Sequence, residues 1–262
     1  PQSQLPAHLS RNNLQPELST ARAKPDCEVS IVRTKEDEEE DAKLREKEKG
    51  LSWDDIKRLE EHAFLVRQEV LSTEATYVKN LAALCVHYIG PLEKIPADKL
   101  TDEIGITPAH RAALVSNLNV INGFQQKFNE DLQRAGPMQC EQTLIEYSPF
   151  FRLYSQYATD YQKMIDTLAA LATSKKFQAF TTIVDHHLAG PGGNGSELLS
   201  SYLILPIQRI PRYELLLREL KRQTLPSSPA FDNINKALAL VRQTATHINE
   251  TNKRVENMHK LI

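Results

Sequence analysis

"LILPIQRIPRYELLLREL" (residues 203–220) reads as a leucine-rich helix interrupted twice by proline. Without Pro206 and Pro211, the stretch consists of strong helix formers. Proline has no amide hydrogen and clashes with the preceding turn, costing about 3 kcal/mol in a helix interior. Two prolines flanking Gln208-Arg209 therefore predict a bent helix, with the carbonyls of Tyr202 and Ile207 left without their i+4 donors. Gln208 and Arg212, four apart, share one polar face at the bend. The plain alternative is that Gln208, Arg209 and Arg212 only solvate a packed helix.

Upstream, residues 51–92 read as one helix of more than thirty residues. Ser52 is a good N-cap, and Asp54 and Asp55 fall in the first turn, where the helix dipole favours them. Ile56, Leu59, Ala63, Val66, Val70, Thr73, Tyr77 and Leu84 recur mostly at three- and four-residue steps, a core-facing stripe. Phe64, Leu71, Val78 and Cys85 form a second apolar line, and Gly90-Pro91 is the expected stop. Thr107-Pro108 forms an N-cap and first-position pair, opening a helix that runs to Gly136-Pro137. Phe150, Phe151, Tyr154, Tyr157 and Tyr161 keep helical spacing and read as core, with one face open to a partner. A short helix over 175–188, a glycine-rich connector over 189–196, and a last long helix from about Phe231 complete the chain.

Residues 1–34 carry no apolar period, and 35–50 is an acidic block followed by mixed charge, so 1–50 is expected to be a flexible tail. Two placements stay open for the acidic block: a solvated helix, or a cover over a basic patch. The sequence opens on Pro1 and reads as a fragment, with polar, proline-broken first residues unlike a signal peptide.

Composition narrows the function. The chain has 262 residues, 40% hydrophobic and 25% charged, with only nine glycines, which points to one large all-helical domain with or without a tail. A net charge of -2 argues against a nucleic-acid binder that neutralises phosphates, and 32 basic against 34 acidic residues give no hint of a membrane-curving basic face. No apolar run is long enough to span a bilayer. Cys27, Cys85 and Cys140 are odd in number and far apart, and read as free thiols in a reducing compartment. The glycine connector lacks the Lys-Ser/Thr of a phosphate loop. His186 and His187 are adjacent, so they leave a helix in different directions and suit no shared metal. No arrangement for bond-making chemistry stands out, and no cofactor or metal is expected.

Three ordered stretches carry a resemblance. "RQEVLSTEATYVKNL" (67–81) followed by "YIGPL", then "YSPFFRLYSQYATDYQKMIDTL" (147–168), then "LLSSYLILPIQRIPRYELLLREL" (198–220) resemble the Dbl homology domain of guanine nucleotide exchange factors for Rho-family GTPases. "THINETNKRVEN" (246–257) resembles the end of that family's last long helix. The resemblance covers about residues 56–260. It departs from the family in the glycine-rich connector and in the short, proline-containing stretch at 92–105, and the sequence stops at Ile262, where the family usually continues into a pleckstrin homology domain that was either cut away or never present.

The resemblance implies an elongated all-α bundle of about six major helices over 51–262, following the tail at 1–50. It implies a guanine nucleotide exchange factor that accelerates GDP release from a Rho, Rac or Cdc42-type GTPase without covalent chemistry. Glu69 occupies the glutamate of the first signature and would engage switch I. Arg212 occupies a basic position of the third, and Asn249 the asparagine near the end of the bundle; both would engage switch II, with Gln208 on the same polar face. The implied setting is cytoplasmic, with recruitment to the inner face of the plasma membrane through domains outside this chain. The rival reading is a helical scaffold that binds partners without exchange.

Overall fold

In a computed structural model of the chain, residues 34–189 and 195–259 are described, and all regular elements among them are helical. The order is α1 (Lys35–Glu48), α2 (Trp53–Ala83), α3 (Gly90–Lys94), α4 (Leu100–Ile104), α5 (Pro108–Val115), α6 (Leu118–Ala135), α7 (Cys140–Tyr147), α8 (Tyr154–Leu171), α9 (Lys175–Ala189), α10 (Gly195–Leu203), α11 (Leu205–Arg222) and α12 (Ala230–His259). Six of these have fifteen residues or more, in line with the expected all-α bundle of six major helices. Cys27 and most of the glycine connector lie outside the described residues; Cys85 and Cys140 are buried free thiols.

The core is continuous. Val70, Tyr77, Leu81 and Leu84 of the first long helical stretch meet Phe128 and Leu132 of α6, Tyr154 and Tyr157 of α8, Leu217 and Leu220 of α11, and Ile234 and Val241 of α12 in one apolar cluster. Removing such surface from water is worth about 25 cal/mol per Å². Local signals set the ends. Ser52 accepts the Asp55 amide while Asp55 bonds back, a reciprocal cap on α2. Thr107 caps α5 with Pro108 in its first turn, as expected. The helix expected over 108–135 is instead two, broken where Ser116 takes φ 40°.

Gly90-Pro91 does not stop the first long helix. Leu84–Ile89 widens into a π-helical turn in which the Gly90 amide reaches Cys85 O, and α3 follows without a change of direction in the backbone dihedrals. The wider turn shifts the hydrogen-bond register, and Pro91 lands in a first turn that asks for no donor.

The two prolines of the opening stretch also part ways. The helix breaks at Ile204, so Pro206 opens α11 and Pro211 alone is interior. At the break the Tyr157 hydroxyl donates to Leu203 O at 2.7 Å, satisfying a carbonyl that helical pairing no longer serves.

The acidic block departs most from the expectation of a flexible tail, although residues 1–33 lie outside the described residues. Residues 35–48 form a helix with a reciprocal Thr34–Asp37 cap. Its inward positions are Asp37, Glu40, Asp41, Leu44 and Glu48, a helical stripe that is almost wholly acidic. Asp37 pairs with Arg242, Asp41 with Lys221 at 2.7 Å, Glu40 with Lys221 at 3.2 Å, and Glu48 with Ser227. The helix is held to α11 and α12 by charge, which an apolar-periodicity reading does not register.

Candidate functional site

α2 and α11 cross antiparallel and are joined at two levels. The inner level is buried. Arg209, 4% exposed, donates from Nε at 3.0 Å and from Nη2 at 2.5 Å to Glu74 Oε2, and Glu74 is fully buried. The Tyr213 hydroxyl donates to the same oxygen at 2.6 Å, and Gln125 donates to the Tyr213 hydroxyl at 3.1 Å. The guanidinium lies 4.4 Å from the Tyr213 ring centroid and 5.2 Å from that of Tyr77, close enough for cation–π attraction. Glu74 Oε1 has no hydrogen-bond partner among the described residues. Burial raises the Glu74 carboxyl above the usual carboxylate range, against the pull of Arg209 and Tyr213. The solvating role read for Arg209 is thus overturned. Its position on α11 faces α2, and the carboxylate waiting there makes its burial tolerable.

The outer level is half exposed. Arg212 Nη2 pairs with Glu69 Oε1, the two side chains 45% and 46% exposed. Arg212 lies three positions after Arg209, and Glu69 five positions before Glu74, so both pairs follow from one crossing of two helices. Gln208 is exposed one turn before Arg212 on the same face. Asn249 is exposed on α12. The pairing of Glu214 with Arg242, and the bonds that Asp41 accepts from both Lys221 and Asn235, give α11 and α12 an antiparallel register. That register brings Asn249 level with Ile207 and Gln208. The structure therefore joins Glu69 and Arg212 directly and sets Gln208 beside them. Asn249 sits at the same level, with no hydrogen bond to the pair.

Charged residues with buried partners were missed by the sequence reading. Besides Glu74–Arg209, Arg67 of α2 reaches Glu141 of α7 with Nη2 at 2.6 Å, both almost fully buried. A charge at a buried step of an otherwise apolar stripe is the signal: Arg67 and Glu74 are seven apart and in phase with Ala63, Val70 and Tyr77. His187, read as a helix-end polar residue, lies against His87 with ring centroids 4.8 Å apart. Beneath them, the Tyr88 hydroxyl donates to buried Asp185, whose carboxyl burial raises.

The RhoGEF domain family matches residues 66–249, from one turn before Glu69 to Asn249 itself. This chain belongs to the RhoGEF domain family. The matched span holds both levels of the α2–α11 junction and ends in α12. Relatives of this RhoGEF domain include the FYVE, RhoGEF and PH domain-containing protein 4 of Rattus norvegicus, 26% identical over 85% of this chain and 30% of the relative. The Rho guanine nucleotide exchange factor TIAM2 of Mus musculus is 30% identical over 73% of this chain and 12% of the relative. The chain thus spans less than a third of these curated relatives. Among solved structures, a Vav1 exchange factor structure aligns with a TM-score of 0.66 at 21% identity, over 77% of this chain and 52% of that one. The complex of PDZ-RhoGEF DH/PH domains with activated RhoA aligns with a TM-score of 0.64 at 20% identity, over 81% of this chain and 58% of that one. These likenesses place the RhoGEF domain in an all-α fold shared with DH/PH proteins. No described helix is long and apolar enough to cross a membrane.

Proposed function

We propose that this RhoGEF domain accelerates GDP release from a Rho-family GTPase, using the exposed face of α2, α11 and α12 as its docking surface. The observation that carries the reading is the half-exposed Glu69–Arg212 pair, seated on a buried Glu74–Arg209 pair, at family-matched positions on two helices. A protein that binds the nucleotide-free GTPase better than its GDP-bound form weakens nucleotide binding by the same factor. The site needs no pocket and no covalent step.

Each residue has a separable role. The Glu69 carboxylate accepts hydrogen bonds from a displaced switch I. The Arg212 guanidinium and the Asn249 amide hold switch II, with Gln208 flanking them. In the free domain Glu69 and Arg212 satisfy each other, so docking swaps partners. An exposed ion pair is worth only about 0–1 kcal/mol, so opening it is cheap. The buried pair beneath keeps both backbones fixed during the swap. We take the domain to begin near Leu51 and to act on the cytoplasmic side, with membrane recruitment supplied by domains outside this chain.

Binding to nucleotide-free and GDP-loaded Rho, Rac and Cdc42-type proteins tests the reading. The expected result is preference for the nucleotide-free form of at least one GTPase, lost in Glu69→Ala. Equal binding of both forms by the intact chain contradicts it and favours a scaffold.

A further inference from the structure

Phe150 breaks the inward run of aromatic residues that begins with it. It is 57% exposed, whereas Phe151 beside it is fully buried. The cause is the 3-10 helical segment Ser148–Leu153 that leads into α8. At three residues per turn, Ser148, Phe151 and the following Tyr154 fall on one line, and all three are buried. Phe150 and Leu153 fall on a second line, and Pro149 and Arg152 on a third that faces solvent. The start of α6 supplies a facing wall. Asn117 donates from Nδ2 to Leu153 O at 2.9 Å, and the Phe124 ring lies 6.1 Å from that of Phe150. Val120 stands between them on the same helix face, three after Asn117 and four before Phe124, and is 56% exposed. Between the walls is an open recess of about 360 Å³, lined by Asn117, Pro149, Phe150, Arg152, Leu153 and Gln156.

Arg152 is the charged member of that lining. It is exposed and has no ion-pair or hydrogen-bond partner among the described residues. The Asp160 carboxylate on α8 is engaged elsewhere: it accepts the Ser116 hydroxyl at 2.7 Å and the Gln156 amide at 3.0 Å. The amides of Asn117 and Gln156 are thus committed to protein acceptors, and the guanidinium is not. An exposed phenylalanine or an unpaired arginine is ordinary when it stands alone. Here an apolar floor, an uncommitted cation and a concave shape coincide, the combination that marks a recognition site. At the small end of the range of about 300–1,000 Å³ for ligand pockets, the recess suits one large side chain and its chain neighbours. Its charge selects an acidic occupant, because a guanidinium binds a carboxylate through two parallel hydrogen bonds.

We propose that this recess docks a linear acidic segment of a partner protein. An aromatic or leucine side chain of the segment packs against Phe150 and Val120, and a neighbouring Asp or Glu pairs with Arg152. A basic segment is rejected by the like charge at the rim, and a neutral one leaves the guanidinium unpaired. The recess is distinct from the Glu69–Arg212 junction. From Phe150, ring contacts run to Phe124, on to Phe151 at 6.0 Å and then to Tyr213 at 5.2 Å, whose hydroxyl bonds Glu74. Two buried rings, Phe151 and Tyr213, therefore stand between the recess and the Glu74–Arg209 pair. The inference does not depend on the exchange reading, and its readout needs no GTPase.

Fluorescence anisotropy with the full chain and a panel of labelled peptides tests it. Each peptide carries a central Phe, Trp or Leu, with Asp or Glu placed within one helical turn's spacing on either side. Matched controls carry Lys for the acid, or Ser for the central residue. At least one acidic peptide is expected to bind saturably and one-to-one, with both of its controls weaker by about tenfold or more. Phe150→Ser and Arg152→Glu should each weaken that peptide by about tenfold or more, as loss of an interface anchor does. Arg152→Lys should lose less than Arg152→Glu, since charge remains without the fork. Ile183→Asp, at an exposed position on α9 outside the recess, should leave the affinity unchanged. Melting temperatures should match the parent, because Phe150 and Arg152 are exposed. Binding of no acidic peptide overturns the inference, and so does binding that survives both Phe150→Ser and Arg152→Glu. Self-association of the parent in sedimentation, abolished by the same two substitutions, also overturns it, because the occupant is then a second copy of this chain.

Discussion

Replacing Glu74 by leucine should destabilise the domain more than any change at the surface of the site. Glu74 is fully buried, and its Oε2 receives Arg209 twice and Tyr213 once. Removing the carboxylate strands a guanidinium that cannot deprotonate, at 4% exposure. Breaking a buried pair in this way costs about 3–5 kcal/mol. At about 2–4 °C per kcal/mol for a domain of this size, the melting temperature should fall by about 6–20 °C. Arg209→Met should cost less, because the carboxylate it strands can take up a proton, and burial already raises its pKa. The sign follows from linkage: an acid whose folded pKa lies above its unfolded value binds more protons when folded. The Arg209→Met deficit should therefore shrink as pH falls through the folded pKa toward the unfolded one. Combining both substitutions should recover much of the loss, since no charge is then left buried. Circular-dichroism melts at two pH values read all of this. A fall of less than about 3 °C for Glu74→Leu, or a double variant as unstable as the sum of the singles, refutes the reasoning.

Other outcomes concern α1 and the proline. For Asp37, burial works to raise the carboxyl, but the Thr34 bonds and Arg242 outweigh it and hold it at about 2; its contribution to α1 docking is present above pH ~4 and lost as pH falls through about 2. A carboxyl titration followed by NMR should show that midpoint and move it upward in Arg242→Met. Because the inner face of α1 is acidic, its amide-exchange protection should drop between about 0.05 and 1 M salt while α2 stays protected, as the Debye length shrinks to about 3 Å. Protection unchanged by salt would assign the docking to Leu44 instead. Pro211→Ala restores an amide donor inside α11 and should leave stability equal or higher while lowering exchange, because Arg212 is re-aimed; unchanged exchange makes the bend incidental.

Much of this fold was legible in the sequence because its signals are local. Ser52 and Thr107 cap as their positions require, Gly136 takes φ 78° at a helix end, and of the aromatic run at 150–161 Phe151, Tyr154 and Tyr157 pack inward, while Phe150 is exposed and Tyr161 half-buried. What was not legible is where charge replaces apolar surface as the buried partner. The stripe on α2 was read through Val66 and Thr73, yet Arg67 and Glu74 hold the fully buried steps, since their partners lie 74 and 135 residues away. The same blindness hides α1, whose inward stripe is acidic and whose partners sit on α11 and α12. Hydrophobic periodicity detects the side of a helix that avoids water, and a long-range ion pair is invisible to it. The resemblance singled out Glu69 and Arg212 one by one, but that they pair with each other needed the crossing of α2 and α11.

The central claim is catalysis of nucleotide release by a surface that includes Glu69, and one measurement addresses it most directly. Fluorescent GDP release is followed from Rho, Rac and Cdc42-type proteins with the intact chain and with Glu69→Ala, whose exposed side chain should leave stability within about ±0.5 kcal/mol. The account predicts accelerated release from at least one GTPase, and release near the intrinsic rate with Glu69→Ala at an unchanged melting temperature. Acceleration by Glu69→Ala equal to that of the intact chain contradicts the assigned surface, and no acceleration of any GTPase contradicts the function.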